Sequence, residues 1–177
     1  MAVTDAYATA ATYRALLDKS DTAEDAEILT DLKAVSRFIE RKTGRFFTVD
    51  AAAVERVYHA TRYSERPKSL FIDDLVALTH IKVDTDDDGS FADEDAWAST
   101  DYELLPRNAG DGPEPRPYTE IFIPSWSSKD VWGHHLVEVK ATFGWPSIPD
   151  AIERATCHLA GILRLETPRA TRQVNIG

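Results

Sequence analysis

Residues 28–47 read ILTDLKAVSRFIERKTGRFF, and within them one kind of structure has to give way to another. Ile28, Leu32, Val35 and Ile39 recur at spacings of four, three and four. Positions so spaced lie above one another on a 3.6-residue turn, so they form one helix face. The pattern predicts a helix over residues 22–43. Thr22 and Asp25 suit a capping box at its start, with Asp in place of the usual Glu. Gly44 stands where a left-handed residue ends a helix, just after Arg41 and Lys42 at the negative pole.

Two further helices are expected outside this stretch. Residues 9–18 place Tyr13, Leu16 and Leu17 on one side. Residues 147–168, SIPDAIERATCHLAGILRLETP, carry Pro149 in a first turn and Asp150 and Glu153 near the positive pole. The expected buried stripe there is Ile152, Ala155, Leu159 and Ile162, and Pro168 ends the helix. From about 54 to 143 the texture is different. Short β-prone runs follow one another: VERVYHA, SLFID, LTHIKVD, DYELL, TEIFIPS and LVEVKATFG. Pro, Gly and acidic turns separate them, as in a small antiparallel sheet. PRNAGDGPEPRPY, residues 106–118, is a proline-rich loop or hairpin tip. The expected class is α+β. A small bundle of two to three main helices carries an antiparallel β-sheet or hairpin region inserted between the second and last helices. The chain reads as a single domain, 1–177. Its helical part is 9–45 and 147–166, its β-rich part 54–143, and its C-terminal arm 167–177. The two longer helices are expected to pack on each other.

Composition narrows the function. Of 177 residues 43% are apolar, enough for a core. A single cysteine, Cys157, rules out a disulfide framework within one chain and a thiolate zinc cluster. No apolar run reaches the length of a membrane span. The N-terminus lacks the basic start and apolar stretch of a secretion signal, so a reducing cytoplasm is the expected place of assembly, with no membrane step. Thirty acidic residues against twenty basic ones give a net charge of −10, which disfavours a DNA-gripping surface. An acidic surface that DNA slides past is still compatible with this balance.

Few residues suggest chemistry. VDTDDDGSFADED, residues 83–95, nearly spells a calcium loop. Oxygen ligands would come from Asp84, Asp86, Asp88 and Asp95, with Gly89 at the sixth place for the sharp turn. The loop follows a strand pattern rather than a helix, and Asp and Gly are also ordinary turn residues. A metal site and a structural turn are therefore both open. Cys157 and His158 are helical neighbours pointing about 100° apart, so they do not make a nucleophile–base pair. His134 and His135 alternate across a strand, which spoils paired metal binding; His59 and His80 are isolated. There is no phosphate-cradling glycine loop and no nucleophile elbow. No catalytic residue and no cofactor is expected. Trp97, Trp126, Trp132 and Trp145 are either interface anchors or caps over a small core.

The order of these signals resembles the head–tail connector, or adaptor, proteins of long-tailed bacteriophages and gene transfer agents. The resemblance rests on LKAVSRFIERKTGRFF, then LFIDDLVALTHIKVDTDDDGSF, then DYELLPRNA, then VEVKATFGWPSIPDAIERATCHLAGILRL. It spans about residues 13–165. It implies a non-enzymatic virion component at the head–tail interface, assembled in the host cytoplasm. Such a protein forms a ring, twelvefold by resemblance, beneath the portal. The ring extends the DNA channel without gripping the genome and offers a docking surface to the next stopper or tail protein. The family's acidic hairpin is a structural turn, which favours that reading of residues 84–95. The portal contact is expected in the C-terminal arm, at Arg169, Arg172, Val174 and Ile176. Alternatives are a tail terminator or stopper of the neck and, from another class, a calcium-binding interaction module.

Overall fold

A computed structural model describes residues 6–60, 68–111, 113–131 and 136–166. The chain forms two compact units. One comprises the residues up to Gly44 and from Ile148 onward; the other is Arg45–Ser147. The α+β class and the placing of the sheet between the second and last helices are as the sequence predicts.

The helical unit contains α1 (Ala10–Leu16), α2 (Asp25–Thr43) and α3 (Asp150–Glu166). Thr9 caps α1, its hydroxyl accepting from the Thr12 amide at 3.0 Å. In α2 the face Ile28, Leu32, Val35 and Ile39 is buried as expected. Gly44 ends it at φ 67°, and its N–H donates to the Glu40 carbonyl at 2.8 Å. The capping box does not form. The N-cap is Glu24, with no side-chain cap, and the Asp25 carboxylate pairs with Arg14 instead of reaching back to Thr22. A guanidinium is the stronger partner for that carboxylate.

α3 departs from expectation in which face it buries. Thr156, Cys157 and Ala160 are buried, whereas Leu159 and Ile162 are exposed, together with Leu163 and Leu165. The buried side is made of small residues, which lets the helix axes approach closely. A Cβ placed on Gly161 would already stand 3.3 Å from Leu17 Cδ1. Arg164, near the end of α3, donates to Asp31 at 2.8 Å and Glu24 at 2.6 Å, tying α3 to the acidic start of α2.

The second unit is a five-stranded, wholly antiparallel sheet in the order β1-β5-β2-β4-β3. The strands are β1 (Val54–His59), β2 (Ser69–Val83), β3 (Glu103–Leu105), β4 (Tyr118–Phe122) and β5 (Leu136–Phe143). Alternation in β5 sends Val137, Val139, Ala141 and Phe143 into the core, where they meet Leu70, Leu75, Ile81, Ile121 and Trp97. SLFID and LTHIKVD, which read as separate strands, are one strand, β2. It pairs first with β4 and then with β5, with shifts of register around Leu75. Asp73 and Asp74 break the alternation at this changeover, and bulges of this kind re-aim side chains.

Those two aspartates tie the unit where the chain enters and leaves it. The Asp74 carboxylate accepts from Trp145 Nε1 at 2.8 Å and lies 3.7 Å from Arg45. Its backbone carbonyl accepts from Gly144 N–H at 2.7 Å, and Asp50 N–H donates to Phe143 at 2.8 Å. Phe47 packs on Trp145 with ring centroids 5.2 Å apart. Asp73 accepts from Arg56 at 2.7 Å and from the Tyr58 hydroxyl at 2.9 Å. Arg56 also lies over the Phe143 ring, 3.9 Å from its centroid.

Candidate functional site

The acidic stretch 84–95 leaves the end of β2 as a tight, hydrogen-bonded loop. Asp84 is only 1% exposed. Its two oxygens accept from the Asp88 amide at 3.2 Å and the Gly89 amide at 3.0 Å. Asp86 accepts from the Asp88 amide at 3.3 Å, and Asp88 from the Ser90 amide at 2.6 Å. Asp87 and Gly89 take positive φ, 60° and 80°, which Asp and Gly tolerate best. Glu94 closes the loop by accepting from the Thr85 amide at 2.5 Å and its hydroxyl at 2.7 Å. Lys82 Nζ donates to the Phe91 carbonyl at 2.6 Å.

Of the four sequence-predicted metal ligands, three converge. Carboxylate oxygens of Asp84, Asp86 and Asp88 lie within 4.8 Å of one another. Asp95 is exposed and stands outside this group, and Glu94 beside it is directed to Thr85. Desolvation raises the Asp86 carboxyl above its ordinary value; the hydrogen bond donated by the Asp88 backbone N–H opposes this, and the charges of Asp88, Asp93 and Asp84 add to it. The loop thus accommodates its carboxylates chiefly through its own backbone amides, in the manner of a nested turn.

The remaining sequence candidates are dispersed. Cys157 is buried, and burial, with the Glu153 charge beside it, pushes its thiol up to about 11, so it is protonated at neutral pH. Its neighbour His158 is exposed on another side of α3. His80 Nε2 lies 3.1 Å from Glu138 on the sheet, and His59 ends the edge strand β1. Trp97 is a core residue and Trp145 donates to Asp74, while Trp126 is the most exposed tryptophan among the described residues, at 70%. Trp132, His134, His135 and the arm residues Arg169, Arg172, Val174 and Ile176 lie outside the described residues.

Two features escaped sequence reasoning. Tyr7 is buried, its N–H donating to Ser36 at 2.9 Å and its hydroxyl to Glu40 at 2.6 Å. The signal was present: Ser36 and Glu40 place two polar groups at i, i+4 on the buried side of α2, and buried polar groups require partners. The exposed apolar side of α3 is the other, because helical spacing alone places its larger side chains in the core.

No family model and no curated protein matches this chain. Among solved structures it is similar to one described as the neck of an empty GTA particle computed with C6 symmetry. The TM-score is 0.49, with 21% sequence identity over 99% of this chain and 85% of that chain. Among the described residues, no helix is long and apolar enough to cross a membrane.

Proposed function

We propose that this protein is a structural component of a virion neck, an adaptor that assembles as a ring beneath a portal and presents a docking surface to the next neck or tail protein. The observation that carries this reading is the ordered resemblance along residues 13–165. The order of elements supports it: among the described residues the antiparallel sheet falls between the second and third helices in sequence. The net charge of −10 suits a conduit that DNA passes without adhering. The buried, protonated Cys157 and the scattered histidines give no nucleophile–base pair among the described residues.

In this reading the arm 167–177 makes the portal contact. Arg169 and Arg172 would meet acidic groups on the portal, and Val174 and Ile176 would anchor the contact. Deleting the residues after Pro168 should leave the fold and melting temperature unchanged and abolish attachment to DNA-filled heads. Normal attachment of the truncated protein would move the contact to the helical unit. The calcium-module alternative predicts that calcium raises the melting temperature and shifts tryptophan emission, since Trp97 follows the loop. The adaptor reading predicts neither.

A further inference from the structure

One edge of the sheet is left open. β1 is an outermost strand and pairs with β5 in unbroken register, from Val54↔Ala141 to His59↔Leu136. In an antiparallel strand every second residue turns its N–H and C=O to the other side. Among the described residues, no hydrogen bond reaches the backbone of β1 from that side. Proteins blunt such edges with very short strands, proline, lysine or bulges. The opposite edge is blunted: β3 has three residues and runs into Pro106. β1 has six residues, with no proline, lysine, glycine or bulge. Its charges do not guard it. Arg56 is drawn to Asp73 and over the Phe143 ring, and Glu55 Oε1 accepts from Lys140 at 2.8 Å.

Alternation along β1 puts Glu55, Val57 and His59 on its exposed side. Val57 is 51% exposed. His59 makes no hydrogen bond or ion pair among the described residues.

We propose that β1 pairs with β1 of a second copy of this chain, antiparallel about a two-fold axis at Val57, so that the two sheets join into one. The strand is its own complement in this register. Val57 faces Val57, Glu55 faces His59, and Arg56 faces Tyr58. Side chains directly opposite stand about 5 Å apart at Cβ, close enough to interact. An imidazole N–H of His59 donates to the Glu55 carboxylate, whose second oxygen is not engaged by Lys140. Centring the pair on Glu55 or Arg56 instead would set like charges face to face. The occupant is a copy because the charges that complement this edge lie on the edge itself. The contact is isologous and closes at two copies, so it is separate from any head-to-tail ring contact and does not rest on the neck reading.

The test is cysteine cross-linking of the full-length chain, whose native Cys157 is buried. Val57→Cys stands opposite itself and should give a disulfide-linked dimer under mild oxidation. Glu55→Cys stands opposite His59, so the copy's own cysteine lies four residues along the strand. That is on the order of 13 Å, and Cα atoms more than about 7 Å apart are not bridged. Glu55→Cys should therefore stay unlinked alone and link when mixed with His59→Cys. Sedimentation equilibrium reads the same contact without a covalent bond. Wild type should dimerise with rising concentration. His59→Glu and Glu55→Lys/His59→Lys each set like charges opposite one another and should weaken the dimer about tenfold. Mixing those two variants should restore it, because each Glu then faces a Lys. All these side chains are exposed, and circular dichroism checks that each variant keeps the native fold. Wild-type protein that stays monomeric at every concentration overturns the proposal, as does dimerisation of both charge variants at the wild-type level. Glu55→Cys that links to itself as readily as Val57→Cys overturns the register. Linkage of Val57→Cys only to a cysteine placed on β3 would make the contact head to tail and overturn the two-fold pair.

Discussion

A Cβ at Gly144 would stand 1.8 Å from the Thr48 carbonyl oxygen, and its φ of 112° is a conformation that side chains rarely adopt. The obstacle is backbone, which cannot swing aside. Gly144→Ala should therefore cost about 3 kcal/mol or more in urea unfolding, while Gly110→Ala, with open space around it, should stay within about 0.5 kcal/mol. The sequence shows a glycine after a strand but not the segment that crosses it. Asp74 gives a pH prediction. Desolvation raises its carboxyl, against the hydrogen bond from Trp145 and the charge of Arg45. A carboxyl raised in the folded state favours folding below the unfolded value, and that contribution is lost as pH rises through the folded one. Asp74→Asn keeps an acceptor for Trp145 and mimics the protonated acid. It should match or exceed wild-type stability at pH 7, and the difference should vanish near pH 3; a large loss at pH 7 would mean the Arg45 pair dominates. In the acidic loop, Asp86→Asn with Asp88→Asn should leave stability unchanged or slightly higher, since an amide oxygen still accepts from the backbone and like charges are removed. Calcium-dependent stabilisation of wild type, absent from this double variant, would reverse that reading.

Elements differ in how openly the sequence announces them. α2 was legible because it is long and its large apolar residues keep strict helical spacing. The same reasoning misplaced the buried face of α3. Its large side chains form a stripe of their own, but the side that packs is the small one, and size governs how closely helices can approach. Periodicity finds a stripe without saying whether a partner helix chooses the bulky or the slender one. Replacing exposed Leu159 and Ile162 with lysine should therefore shift the melting temperature little, where burial of that stripe would make the change severe. β2 was read as two strands because Asp73 and Asp74 look like a turn; only the sheet shows that they sit at a bulge where the strand exchanges partners. Between helices, Arg164→Ala should cost about 1 kcal/mol, and less at high salt, because Glu27 and Asp31 of α2 and its N-cap Glu24 lie around the partly exposed guanidinium. A double-mutant cycle with Asp31→Ala would isolate the direct pair.

At the scale of the whole chain, two units share one backbone that passes from helix to sheet and back again. The sheet unit has its own core and its own tie between beginning and end, so residues 45–147 alone should unfold cooperatively with a β-type circular dichroism spectrum. An excised piece that is merely collapsed would show that the helices are needed to form it. The acidic surface and the order of elements could be read from sequence; the loop's inward-facing Asp84 could not, because a run of aspartates does not reveal which one the backbone amides will enclose. The tie at Asp74 has a mechanical meaning too. The segments around Asp50 and Phe143 lie side by side, one hydrogen bond apart. A load applied through the two crossings at Gly44–Arg45 and Ser147–Ile148 pulls such neighbours apart from the same end. Their bonds would then open in succession, like a zip, rather than share the load in shear. Traction between the two units would be spent first at Gly144 and Trp145, leaving the strands behind them at rest.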